Sequence, residues 1–144
     1  MEAQNYSNHR RYVFLFHVVL FALIVLTLIG SCVNLGKSWG NPQRFYSAAL
    51  IVVVNVCLLM LFFFCRTFAL KAQDRAIRAE ESLRHYVLSG RLPDPRISIR
   101  QIVALRFASD EEFLALAQRA AVENLSEDDI KKAIEHWRAD TYRV

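Results

Sequence analysis

Two long stretches of this sequence carry no formal charge: Tyr12 to Gly36 and Phe45 to Cys65 contain no Asp, Glu, Lys or Arg. A helix needs about 20 apolar residues to cross a hydrocarbon core roughly 30 Å thick. Backbone polar groups inside lipid must also be satisfied within the protein, which favours helices for both runs. The pattern predicts two transmembrane helices, 12–33 and 45–70, with Arg66 near the end of the second able to snorkel to the headgroups. The connecting 34–44 is rich in turn residues (Asn34, Gly36, Ser38, Gly40, Asn41, Pro42) and too short for a domain, so the pair reads as a helical hairpin. A 54% apolar content in 144 residues, high for a soluble domain, is explained by this concentration.

Lys and Arg near the span ends set the orientation. Arg10 and Arg11 precede the first span, and Arg66, Lys71, Arg75 and Arg78 follow the second, whereas the loop holds only Lys37 and Arg44. Both termini are therefore expected in the cytoplasm and the loop outside. Tyr12 at one edge, and Trp39, Phe45 and Tyr46 at the other, suit interfacial anchors. The net charge of +4 belongs to these flanks, because the 13 basic and 13 acidic residues from Lys71 onward cancel. The basic balance is thus a topology signal, and no nucleic-acid partner is expected. Arg10-Arg11 before an apolar run also has the look of a signal peptide, with Ile29-Gly30-Ser31-Cys32 as a loose lipoprotein cleavage box. The run exceeds the roughly 7 to 15 residues of such a region and Gly30 suits the box poorly, so an uncleaved span is expected and lipidation at Cys32 is the alternative.

In a hairpin turning near position 40, residues at equal depth have numbers summing to about 80. Asn55 then lies near Val25 and within about a turn of Thr27. An interhelical Asn55–Thr27 contact would tie the spans together by about 0.6 to 2 kcal/mol; the alternative is that Asn55 lines an ion or solute path. His17 falls opposite Phe63 with no acidic residue in either span to partner it, and is expected to snorkel or to bond to backbone. Cys57 and Cys65 read as small apolar packing residues.

Beyond Leu70 the helical pattern continues. Ala72, Ala76, Ala79, Leu83 and Tyr86 recur at spacings of four and three and form one apolar stripe. Lys71, Arg75 and Arg78 lie on an adjacent face and are expected to contact lipid headgroups, worth about 1 kcal/mol each on an anionic leaflet. A juxtamembrane helix over 71–90 is predicted, capped by Gly90 and stopped by the linker 91–97 with Pro93 and Pro95. The stripe needs a partner, either the C-terminal bundle of the same chain or the same stripe on a second copy.

Within 98–144 three helix starts share one chemistry: Ser98 with Gln101, Ser109 with Glu112 and Ser126 with Asp129 each place a hydroxyl at the N-cap and an acceptor three residues on. Helices are predicted over 99–107, 110–123 and 127–141, with Phe113 and Trp137 as core anchors. Glu127 with Lys131, and Asp128 with Lys132, add i,i+4 support. A bundle of this size without disulfide or metal is marginal alone, so it is expected to dock on something.

Reactive constellations are missing from the pattern. His9, His17, His85 and His136 are isolated, and Gly30, Gly36, Gly40 and Gly90 form no phosphate loop. No metal site, cofactor or catalytic residue is expected. The acidic groups Asp110-Glu111-Glu112 and Glu127-Asp128-Asp129 occupy first turns, where they complement the helix dipole.

Several phrases are more specific. Gln4-Asn5-Tyr6-Ser7-Asn8-His9 with Arg11-Tyr12, Ala72-Gln73-Asp74-Arg75-Ala76-Ile77-Arg78-Ala79-Glu80-Glu81, the run from Ile99 through Arg106-Phe107-Ala108-Ser109 to Glu112, and the ending Trp137-Arg138-Ala139-Asp140 together resemble an uncharacterised family of small bacterial membrane proteins, described by a domain of unknown function. The resemblance covers nearly the whole chain and implies a two-span protein of the bacterial inner membrane; it brings no activity. The polar start, Gln4 to Arg11, is expected to lie along the cytoplasmic face and contact the juxtamembrane helix. The expected architecture is all-α: a transmembrane hairpin whose second helix extends into the cytoplasm, followed by a small three-helix bundle. The expected role is a non-enzymatic scaffold or accessory subunit with the lipid bilayer and a protein partner or second copy as its contacts; the alternative is a small oligomeric channel or transporter component.

Overall fold

The computed structural model describes residues 4–9 and 12–140. Among them the secondary structure is helical apart from one isolated bridge, Ala108 with Trp137. A π-helical turn, Leu15–Leu20, leads into α1, Phe21–Lys37; α2 is a 48-residue helix, Pro42–Ser89; α3, α4 and α5 are Ile99–Leu105, Asp110–Glu123 and Glu127–Ala133. The chain divides into two compact units, one of Tyr12–Phe68 and one of the N-terminal segment with Ala69 onward. Arg10 and Arg11, on which part of the orientation rests, and Thr141, the last position of the third predicted helix, lie outside the described residues.

In the first unit, Leu15–Lys37 and the start of α2 are long and apolar enough to cross a membrane. Only 11% of the most apolar window of each is buried. Helical structure continues past the apolar run on each side of the loop and leaves a short turn at 38–41. Gly40 there takes φ +90°, a conformation that side chains disfavour. Asn41 then caps α2, its Oδ1 accepting the Arg44 backbone N–H at 3.1 Å, with Pro42 at the first helical position where its missing donor costs nothing. Phe16 stacks on Phe62 with ring centroids 4.6 Å apart, and Ala48 and Ile24 are buried.

The second unit contains the only extended hydrophobic core among the described residues. Its most deeply buried large side chains are Phe107, Leu105 and Ile130, joined by Phe113, Leu116 and Ile102. Phe113 sits in the core as expected, but Trp137 is half-buried and covers Phe107 from the edge at 5.1 Å. Of the capping boxes, Ser98 and Gln101 make both reciprocal bonds. Asp129, a methylene shorter than Glu, instead accepts the Ser126 hydroxyl at 2.6 Å. α4 ends at Asn124 in the left-handed region, and α2 ends at Gly90 with φ +72°. In the linker, the side-chain hydrogen bond from Arg96 lowers the Asp94 pKa from 3.8 to about 2, and Ile97 N–H closes the turn at Pro95 and Arg96 by donating to Asp94 O at 3.0 Å.

Two predicted helices are shorter than expected, and one interaction explains both ends. The backbone N–H groups of Glu135 and His136 donate to Glu112 Oε2 and Oε1 at 3.0 and 3.1 Å. In a continued helix those donors would bond to carbonyls four residues back. Glu112 captures them, so α5 stops at Ala133 and the chain continues as a strap. The strap pairs with the chain leaving α3: Ser109 N–H donates to His136 O at 3.1 Å and Arg138 N–H to Phe107 O at 2.7 Å. α3 accordingly ends at Leu105 instead of 107. Lys131 approaches Asp128 at 4.0 Å, three residues back, and Lys132 lies 5.9 Å over the Tyr6 ring, so neither forms the i,i+4 pair expected of it.

Candidate functional site

Within the first unit the structure brings Thr27 and Asn55 together. Thr27 Oγ1 donates to Asn55 Oδ1 at 2.8 Å, and the Asn55 amide donates to Ile51 O at 2.9 Å. The Thr27 hydroxyl has one proton and also lies 2.8 Å from Leu23 O and 3.0 Å from Ile24 O, so the acceptors share it. That competition places the contact at the weaker end of interhelical bonds. Asn55→Leu should destabilise the helix pair by about 0.6 to 2 kcal/mol, measured as the midpoint of unfolding in mixed detergent micelles. Thr27→Val added to it should cost little more; fully additive losses would show that the two side chains act separately. His17 faces backbone: its Nδ1 lies 2.8 Å from Val13 O, and its ring stacks on Tyr12 at 4.7 Å. Cys32, Cys57 and Cys65 are exposed free thiols.

In the second unit, α2 meets the bundle through a face that sequence hydrophobicity does not mark. Ala72, Ala76, Ala79, Leu83 and Tyr86 are all exposed, which corrects the expectation that this stripe could dock on the bundle of its own chain. The docked residues are Glu81, Arg84 and His85, with Ile77 buried on the same side of the helix. Arg84 is the centre. Its Nε donates to Asp110 Oδ1 at 2.7 Å, one terminal nitrogen to Glu81 Oε2 at 2.9 Å, and the other to Ala108 O at 2.8 Å. Its guanidinium also lies 4.3 Å over the Phe113 ring. The planar fork of Arg supplies all three directions at once, which a Lys ammonium does not. Glu81, 6% exposed, has Arg138 at 3.7 Å on its second oxygen. His85 meets Phe113 edge-on and lies 2.8 Å from Arg91 O, closing the helix end. An apolar stripe buries more area per residue, but these charged groups find partners in the bundle that alanines cannot offer.

The described part of the N-terminal segment docks on the strap and on Phe107. Buried His9 lies 5.8 Å from Phe107 and 6.0 Å from Trp137, with Nδ1 2.6 Å from Tyr6 O. Asp140 N–H donates to Gln4 Oε1 at 2.7 Å, and Arg106 pairs with Asp140 at 2.9 Å. The aromatic character of Phe107 and Trp137 is visible in the sequence, but nothing local indicates what covers them. Lys71, Arg75 and Arg78 are exposed. No cluster of three His, Cys, Asp or Glu side chains suited to a metal occurs among the described residues.

A family of unknown function, DUF6526, matches the chain over residues 1–144. The chain belongs to that family. Curated proteins provide no match, and neither do solved structures. Membership of DUF6526 carries no activity with it.

Proposed function

We propose that this chain is a non-enzymatic integral protein of the bacterial inner membrane that holds a folded helical module at the cytoplasmic face for assembly with other protein. The observation that carries this reading is the division of labour on α2. One face is committed to the bundle through Arg84 and Glu81, while the apolar stripe from Ala72 to Tyr86 is exposed. A small bundle clamped to a helix by buried charge is held in a fixed orientation, as a docking module requires. The excess of Lys and Arg at the N-terminal flank and after Cys65 supports a cytoplasmic location for both termini. Lys71, near the end of the apolar run, is suited to headgroup contact, with Arg75 and Arg78 farther out in the field of an anionic surface.

The channel alternative has less support, because the Asn55 amide and carbonyl are both used within the helix pair. Impermeant maleimide labelling tests the placement. With the native thiols replaced, Trp39→Cys, at a position 82% exposed, should label in intact cells and Ser89→Cys only after the membrane is permeabilised; the reverse pattern would invert the topology. Crosslinking in the native membrane tests the role. A chain recovered solely as a monomer, without any crosslinked neighbour, would remove the basis for an assembly function.

A further inference from the structure

The exposed stripe on α2 has the register of a coiled-coil seam, and its flanking charges are complementary to themselves. At about 100° per residue, Ala76, Ala79, Leu83 and Tyr86 lie roughly 150° round the helix from the face formed by Ile77, Glu81 and Arg84. The bundle therefore does not obstruct them. Leu83 is 63% and Tyr86 52% exposed, so the stripe ends in two large apolar side chains that nothing in the chain covers among the described residues. The 4-3-4-3 spacing from Ala72 to Tyr86 makes these residues the d and a positions of a heptad. Arg75 then occupies a g position and Glu80 the following e position, the two sites that face each other between parallel helices. Both are exposed, and neither takes part in the ion pairs of the described residues.

We infer that this face is the contact between two copies of the chain, packed parallel and in register, with Arg75 of each copy paired to Glu80 of the other. The inference rests on the membrane reading above, since anchoring both copies with the same topology is what makes the helices parallel. It also explains how so short a seam can associate: confinement to one membrane raises the effective concentration of the second copy without any new contact. Small alanines near the anchored end let the backbones approach, and Leu83 and Tyr86 fill the widening gap. Headgroups are the competing occupant for Arg75. With a rise of about 1.5 Å per residue, Arg75 lies about 7.5 Å past Leu70, at the outer edge of a headgroup layer of about 5 to 8 Å, so the lipid composition is varied in the test.

The test uses the full chain, with Cys32, Cys57 and Cys65 replaced by Ala, reconstituted in phosphatidylcholine vesicles. Leu83→Cys should form a disulfide-linked dimer under mild oxidation at least tenfold faster than Arg78→Cys on another exposed face. In the Leu83→Cys background, Arg75→Glu should lower the dimer yield several-fold, Glu80→Arg should do the same, and the two together should restore it. Equal crosslinking at the two sites, or no rescue by the charge swap, would overturn the inference. So would a loss with Arg75→Glu that appears only when phosphatidylglycerol is included, since that assigns the charge to lipid. Carbonate extraction separates the layers of argument. A chain that is released from the bilayer defeats the membrane reading itself, whereas an anchored chain that does not crosslink defeats only the pairing.

Discussion

Arg84→Met should release the C-terminal part of α2 from the helical bundle. The substitution keeps much of the aliphatic stem but removes the bonds to Asp110, Glu81 and Ala108 O together with the contact over Phe113. Glu81 would remain buried with Arg138 at 3.7 Å as its remaining counter-ion. Breaking one side of a buried ion pair costs about 3 to 5 kcal/mol, a large share of the roughly 5 to 15 kcal/mol that stabilises an ordinary domain. Hydrogen exchange on the full chain in detergent should show lost protection in α3 and α4, with the amides of the apolar helices unchanged. Arg84→Lys should recover only part of it, because a point charge cannot reproduce the fork. The decisive comparison is Arg84→Met with Glu81→Leu. Removing both charges eliminates the uncompensated carboxylate, so the double variant should be more stable than Arg84→Met alone. Unchanged exchange in Arg84→Met would mean that the clamp does not hold the two elements together.

This clamp also marks the boundary of what the sequence makes legible. Interactions between residues close in sequence were readable: the caps at Ser98 and Ser126, the left-handed glycine after α2 and the start of α4. The level of Thr27 against Asn55 was readable too, because a short turn between two helices fixes the register over the whole hairpin. The docked face of α2 was not. Periodicity weights apolar residues, and the stripe through Leu83 and Tyr86 outscores one that contains Glu81 and Arg84. The choice between them depends on Asp110 and Ala108 O, which approach from another element and leave no mark on the local pattern. The end of α5 was hidden for the same reason. Nothing between Ile130 and Trp137 interrupts the helical spacing; the interruption is Glu112, a distant carboxylate that caps its own helix at Ser109 and takes two donors from the strap. Helix starts are local chemistry, whereas docking faces and forced helix ends are decided between elements.

Gln101 shows how far a local motif can carry a nonlocal role, and Gln101→Glu should be the most damaging near-isosteric change in the bundle. The side chain is 5% exposed. Its Oε1 accepts Ser98 N–H at 2.8 Å as the capping box requires, while Nε2 donates to Ala120 O at 3.1 Å and Leu125 O at 2.9 Å. The carbonyls near the end of α4 need such donors because the last turn leaves them without intrahelical partners. A glutamate keeps the cap, which a capping box tolerates equally well, but points a buried carboxylate oxygen at two carbonyl oxygens. Losing two donors and burying a charge should cost about 3 kcal/mol or more, enough to unfold a bundle of marginal size. Thermal unfolding of the full chain in detergent, followed by Trp137 fluorescence in a Trp39→Phe background, should show the loss. Its pH dependence carries the sign. Burial disfavours the charged form, so the folded-state pKa of the introduced carboxyl would lie above the unfolded value of about 4.3. The penalty is then complete above the raised pKa and diminishes as pH falls through it, levelling off below the unfolded value, where the neutral acid again offers one donor. Gln101→Met lacks the charge and should be destabilised without this pH dependence. If Gln101→Glu melted like the wild type at neutral pH, or lost stability on acidification relative to Gln101→Met, the bonds to Ala120 and Leu125 would not be what holds α3 against the end of α4.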